Sequence, residues 1–151
     1  MPLRLQVILA TTRPGRKGPE IGHWFAKYAS NNSNFEIDVV DISEFNLPVF
    51  DEPHHPVMQN YEHGHTKRWS ETIDKGDAYV FVMPEYDHTA PASLINALTY
   101  LSKEWAYKPV GFVSYGGVSG GLRGVQSLKP MLSALKMVAI PEAVTIPGYG
   151  E

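Results

Sequence analysis

Residues 5–19, Leu-Gln-Val-Ile-Leu-Ala-Thr-Thr-Arg-Pro-Gly-Arg-Lys-Gly-Pro, decide the fold. The run opens as a nearly continuous apolar segment, the pattern of a strand covered on both faces. It passes through Thr11-Thr12-Arg13-Pro14-Gly15-Arg16-Lys17-Gly18-Pro19 into Ile21, Trp24, Phe25 and Tyr28. That i, i+3, i+4, i+7 spacing is one helical stripe. A strand, a loop and a helix in this order put the free N–H groups and partial positive charge of a helix N-terminus at the loop. Two hydroxyls, two guanidiniums, an ammonium and two glycines converge there, and a guanidinium fork donates two parallel bonds to a phosphate. The segment therefore reads as a phosphate-binding loop. It matches neither G-x-x-x-x-G-K-[ST] nor G-x-G-x-x-G, which disfavours a nucleoside triphosphatase and a dinucleotide fingerprint.

Further apolar runs lie at Phe35–Val40, Ala78–Met83 and Pro109–Tyr115, and Met137–Ile140 opens a fifth. Helical stripes separate them. Leu94, Ile95, Leu98 and Leu101 follow Pro91, and Leu122, Val125, Leu128, Leu132 and Leu135 surround a helix-bending Pro130. A weaker helix at about Thr66–Lys75 turns Trp69 and Ile73 inward. The order predicts an α/β domain over residues 1–151 with a doubly wound, parallel, five-stranded sheet and helices on both faces. A closing helix after the fifth strand is expected but absent, since the chain stops at Gly148-Tyr149-Gly150-Glu151. The Asn46–His65 stretch, rich in proline and histidine, is long for a structureless connection.

Composition narrows the function. The 151 residues are 43% hydrophobic and 19% charged, as in a soluble globular domain. The chain has no cysteine, which excludes disulfides, thiolate metal sites and a cysteine nucleophile and agrees with a cytoplasmic setting. No apolar run has the length of a membrane helix. A net charge of −3 argues against general nucleic-acid binding. Eight Tyr, six Phe and three Trp exceed the needs of a small core, so some rings are expected at a ligand site or a subunit contact. His54, His55, His63 and His65, with Glu52 and Glu62, are metal-capable side chains without helical spacing, and read as a solvated loop and not a metal site.

In an open parallel sheet, ligands bind beyond the carboxyl ends of the strands. Two more loops emerge there. Pro84-Glu85-Tyr86-Asp87-His88-Thr89-Ala90-Pro91 offers exposed amides and one flat ring, with Thr89 suited to cap the next helix. Ser114-Tyr115-Gly116-Gly117-Val118-Ser119-Gly120-Gly121-Leu122-Arg123 has paired glycines that let the backbone approach a ring closely.

These three loops, with Leu94-Ile95-Asn96-Ala97-Leu98, Trp105–Val110 and Leu47-Pro48-Val49-Phe50, resemble the NADPH-dependent FMN reductase family of flavodoxin-like proteins. The likeness runs from the first strand to the chain end. It implies non-covalent FMN whose phosphate meets Thr11, Thr12, Arg13, Arg16 and Gly18. Pro84, Glu85, Tyr86, Asp87 and His88 would pass along the ring and ribityl chain, and Ser114, Tyr115, Gly116 and Gly117 would close the other side. Asp87 stands where the family usually has Asn, His88 where it has a small residue, and the usual serine near position 18 is missing. The implied reaction is hydride transfer from NADPH or NADH to flavin N5, then passage of electrons to a flavin, quinone, azo dye or similar acceptor. No side chain is assigned as an acid or base. A homodimer or homotetramer is implied as well. The rival reading is a flavodoxin-like electron carrier that does not oxidise NAD(P)H.

Overall fold

Residues 1–149 are described in a computed structural model, so Gly150 and Glu151 of the chain-end reading lie outside the described residues. The elements run β1 (Arg4–Leu9), α1 (Gly18–Asn32), β2 (Glu36–Asp41), α2 (Gly64–Asp74), β3 (Ala78–Pro84), α3 (Ala92–Thr99), β4 (Pro109–Tyr115), α4 (Leu122–Ala134) and β5 (Val138–Ile146). The five strands are all parallel, in the order β2-β1-β3-β4-β5. This is the flavodoxin-like order, and its reversal point lies between β1 and β3. The β4–β5 register shifts between Val110 and Phe112, opposite the stretch of β5 that carries Pro141. Proline has no N–H for the ladder and is tolerated on such an edge strand.

Alternation along the central strands feeds two cores. Ile8, Phe81, Met83 and Phe112 pack with α2, α3 and α4, whereas Val7, Leu9, Val80, Val82 and Val113 pack with α1. Trp69 sits at the centre of the first core. Its indole N–H donates to the Ala97 carbonyl at 2.9 Å, and its ring meets Phe45 and Trp105 edge-on.

The α1 stripe is rotated from its predicted face. Ile21, Gly22, Ala26 and Ala29 are buried, while Trp24 and Tyr28 are 53% and 56% exposed. Small residues decide the face, because they allow close approach: a Cβ on Gly22 would collide with Leu9 Cδ2. Bulky aromatics cannot enter so narrow a gap.

The histidine-rich stretch is an ordered strap on α3. Phe50 N donates to Asn96 Oδ1 at 2.9 Å, and Asn96 Nδ2 and Tyr100 Oη both donate to the Pro48 carbonyl at 2.8 Å. A 3-10 turn at Ile42–Phe45 precedes it, and a second at Pro56–Met58 lies within it. Glu52 braces the entry to α2, which has no local side-chain cap, through the amides of Glu62 and His63 and the Thr66 hydroxyl. Burial opposes ionisation of Glu52, but bonds from the amides of Glu62 and His63 and the Thr66 hydroxyl outweigh it and hold the pKa below the usual range. Asp51, Glu52 and His63 each bring a ligand-type atom within 4.8 Å of the other two. The Glu52 oxygens in that group already serve the helix terminus. Among the described residues no helix is long and apolar enough to cross a membrane.

Candidate flavin site

The loops after β1, β3 and β4 meet at the reversal point. They enclose a cleft of about 170 Å³ lined by Thr11, Arg13, Lys17, Pro84, Glu85, Tyr86, Tyr115, Gly116 and Tyr149. A larger apolar cleft of about 790 Å³ adjoins the first loop through Thr12 and is walled by Leu47, Val49, Phe50 and Ile95.

At the first loop, α1 starts at Gly18 with Lys17 as N-cap and no side-chain capping bond. Its N-terminus is therefore unfilled by the protein's own side chains. Thr11 is buried, and its hydroxyl shares a 2.9 Å hydrogen bond with Tyr86 Oη. A Cβ on Gly18 would stand 2.8 Å from Thr11 Cγ2 and 2.9 Å from Tyr115 Oη, so only glycine fits beside that phenol. Among the described residues Tyr115 Oη is buried without a hydrogen-bond partner. Two other buried side-chain atoms share that state among the described residues, Gln6 Oε1 and Trp105 Nε1, and neither residue lines the cleft. Burial raises the Tyr115 pKa above the ordinary phenol range, so the hydroxyl is a neutral donor at physiological pH.

The two arginines of the loop have different surroundings. Arg13 lines the cleft. Arg16 turns to Asp41 at the end of β2, donating through Nη1 and Nη2 at 2.7 and 2.6 Å, and Nη1 also donates to the Thr11 carbonyl at 2.8 Å. Asp41 accepts further bonds from Ser43 N and Oγ. The bond to Asp41 raises the Arg16 pKa. Burial works against the Asp41 carboxylate, but the Arg16 fork and Ser43 outweigh it and depress its pKa. The pair ties the first loop to the turn after β2.

In the second loop, Tyr86 and Thr89 exchange backbone hydrogen bonds of 3.0 and 2.9 Å around Asp87 (φ 51) and His88 (φ 65). Positive φ at both central residues makes this a tight hairpin turn of the kind that favours Asn-Gly. Thr89 therefore belongs to the hairpin and is not the α3 cap; that position is Pro91. Asp87 and His88 stand exposed at the tip. The Glu85 carboxylate reaches away toward α4, where Gly124 N donates to it at 2.7 Å.

In the third loop, the buried Ser114 hydroxyl donates to the Gly120 carbonyl at 2.8 Å, so it braces the loop from within. Gly121 has φ 86, and a Cβ there would meet Ser114 Cβ at 2.7 Å. Gly116 and Gly117 accept backbone bonds from Tyr149 and Gly148. Tyr149 packs edge-on against Tyr115 at 5.7 Å and donates to Glu20 at 3.0 Å. The sequence marks Lys17 as the ammonium of the first loop but gives no sign of Tyr149 as a cleft residue. Tyr149 lies past the last strand with no local pattern to mark it.

The Arg16–Asp41 pair gives a pH signature. A depressed carboxylate pKa adds stability above the unfolded value of about 3.9, and that contribution is lost as pH falls through the folded value. Asp41→Asn should unfold at lower urea than the native chain at pH 7, with the difference shrinking below about pH 4. A gap that stays constant down to pH 3 would contradict an ionised pair.

Residues 3–151 match the family model described as NADPH-dependent FMN reductase. The chain is 38% identical over 148 residues to an NAD(P)H-dependent FMN reductase of Schizosaccharomyces pombe, covering 95% of this chain and 74% of that protein. It is 29% identical over 125 residues to an NADPH azoreductase of a Bacillus species, covering 82% of this chain and 67% of that protein. Among solved structures, the flavoenzyme NAD(P)H:(acceptor) oxidoreductase FerB of Paracoccus denitrificans superposes with a TM-score of 0.74 at 20% identity, over 93% of this chain and 78% of that one. That last likeness is one of fold. Taken with the order of the strands and the loops that converge at their reversal, the sequence match shows that the chain belongs to the NADPH-dependent FMN reductase family.

Proposed function

We propose that this chain, an FMN- and NAD(P)H-using oxidoreductase by family, seats the FMN phosphate at the N-terminus of α1 and delivers electrons to a small quinone, azo or flavin acceptor. The observation that carries the reading is the buried, unpartnered Tyr115 hydroxyl beside the uncapped first turn of α1. A buried donor without an acceptor costs about 1–3 kcal/mol, and at the cleft wall a ligand's acceptor oxygen would satisfy it. Arg13 and Lys17 line the same cleft and supply positive charge. The fit to a phosphate thus rests on donors and charge already in place.

FMN, when bound, would supply the redox chemistry between NAD(P)H and the acceptor. The protein's part is placement. Thr11, Thr12, Arg13, Lys17 and Gly18 hold the phosphate end, the last because it lets Tyr115 approach. Arg16 acts on that end through Asp41 and the Thr11 carbonyl, so its charge is already balanced. Pro84, Tyr86 and Asp87 form one wall for the ring, with His88 at the rim, and Tyr115, Gly116 and Gly117 form the other. Ser114 serves that wall by bracing Gly120.

The 151 residues form one domain in this reading. A second copy covers the larger cleft, where Val49 is 87% exposed and Ile95 stands at the surface. That arrangement is a homodimer, or a homotetramer built from it, working in the cytoplasm where reduced nicotinamide nucleotides are available.

Two experiments test the reading. Anaerobic NADPH should bleach the flavin absorbance of the FMN-loaded protein within seconds; flavin that stays oxidised would make the chain an electron carrier instead. Tyr115→Phe should leave the FMN-free protein as stable as the native chain or more so, since it removes an unsatisfied buried group, while weakening FMN by about tenfold. Unchanged FMN affinity would mean that the hydroxyl does not serve the phosphate.

A further inference from the structure

Glu85 opens the loop after β3, and its backbone N–H donates to the Tyr115 carbonyl at 3.2 Å. Its side chain is only 7% exposed and ends among donors from another part of the chain. Oε1 accepts from Gly124 N at 2.7 Å in the first turn of α4. Oε2 accepts from Ser119 Oγ at 2.8 Å and from Arg123 Nε at 3.1 Å, with Arg123 Nη2 also at 3.1 Å. The N-cap of α4 is Gly121, which has no side chain to satisfy that terminus. An anion is favoured there by the helix dipole and the free amides. Glu85 provides it from across the cleft.

The surrounding packing leaves little slack. A Cβ on Gly124 would stand 3.1 Å from the Thr89 carbonyl oxygen and 3.4 Å from Glu85 Cβ. Ala90 N donates to Ser127 Oγ at 3.2 Å, a second tie between the same loop and α4. The Glu85 carboxylate, with its four donor atoms, is thus the main side-chain tie between the hairpin loop and the glycine-rich loop.

We infer that Glu85 is a positioning residue: its carboxylate fills the anion seat at the N-terminus of α4 and so sets the width of the slot between the hairpin loop and the glycine-rich loop. The inference rests on the FMN reading above. It replaces direct flavin contact, the role expected for this side chain, with action through Gly124, Ser119 and Arg123. It also closes α4 to ligand anions and leaves α1 as the anion seat of the cleft.

The test is chemical rescue of the full chain. FMN-free Glu85→Ala should bind FMN about tenfold more weakly than the native chain, reflecting lost hydrogen bonds to a charged group. Acetate should restore that affinity and raise the variant's thermal midpoint, while leaving the native chain unchanged. A general packing defect is not repaired by a free carboxylate. Native-like FMN affinity in Glu85→Ala, or weak binding with no response to acetate, would overturn the inference. Should Glu85→Ala fail to fold, Ser119→Ala and Arg123→Gln each remove part of the seat and should each weaken FMN by about threefold. Unchanged affinity in both would equally overturn it. If the native chain itself bound no FMN, the cofactor reading would fall, and the acetate response of the Glu85→Ala midpoint would still decide whether the seat exists.

Discussion

An uncapped helix N-terminus beside a buried hydroxyl is the constraint around which the cleft is built. Among the described residues the first turn of α1 has no side-chain acceptor, and Tyr115 Oη has no hydrogen-bond partner. Both shortages are met by one ligand with several acceptor oxygens and negative charge. Gly18 makes their meeting possible, because any side chain there would push Thr11 and Tyr115 apart. The parallel sheet brings these groups together, since β1 and β4 flank β3 and their loops leave from the same edge.

Two internal ion pairs complete the frame, and they divide the charged residues into those facing the ligand and those holding the walls. Arg16 with Asp41 ties the first loop to the turn after β2. Glu85 with Arg123 ties the second loop to the third. A charge already paired and hydrogen-bonded inside the protein adds rigidity to a site more than it adds attraction for a ligand. Arg13 and Lys17 remain as the cations lining the cleft.

The sheet was legible in the sequence because its central parallel strands are buried apolar runs; the first four strands lie close to their predicted runs, whereas the fifth continues from the predicted opening at Met137–Ile140 to Ile146. The three loops were legible too, from their glycines, prolines and basic residues at strand–helix junctions. Side-chain partners were not. Nothing near Arg16 in the chain announces Asp41, 25 positions away, and nothing near Glu85 announces Gly124, 39 positions away. Apolar periodicity alone does not set the inward face of α1: it weights Trp24 and Tyr28 over Gly22 and Ala26, whereas close packing on Leu9 favours the small residues. The turn at Asp87-His88 escaped notice because neither residue is the glycine that such a turn usually carries.

The most direct measurement compares FMN with riboflavin, which differ only by the phosphate, in titrations of the FMN-free protein. If the α1 terminus, Arg13, Lys17 and Tyr115 form the phosphate seat, riboflavin should bind about a hundredfold more weakly or worse, and inorganic phosphate should compete with FMN. Equal affinity for the two flavins, with no competition by phosphate, would contradict the account.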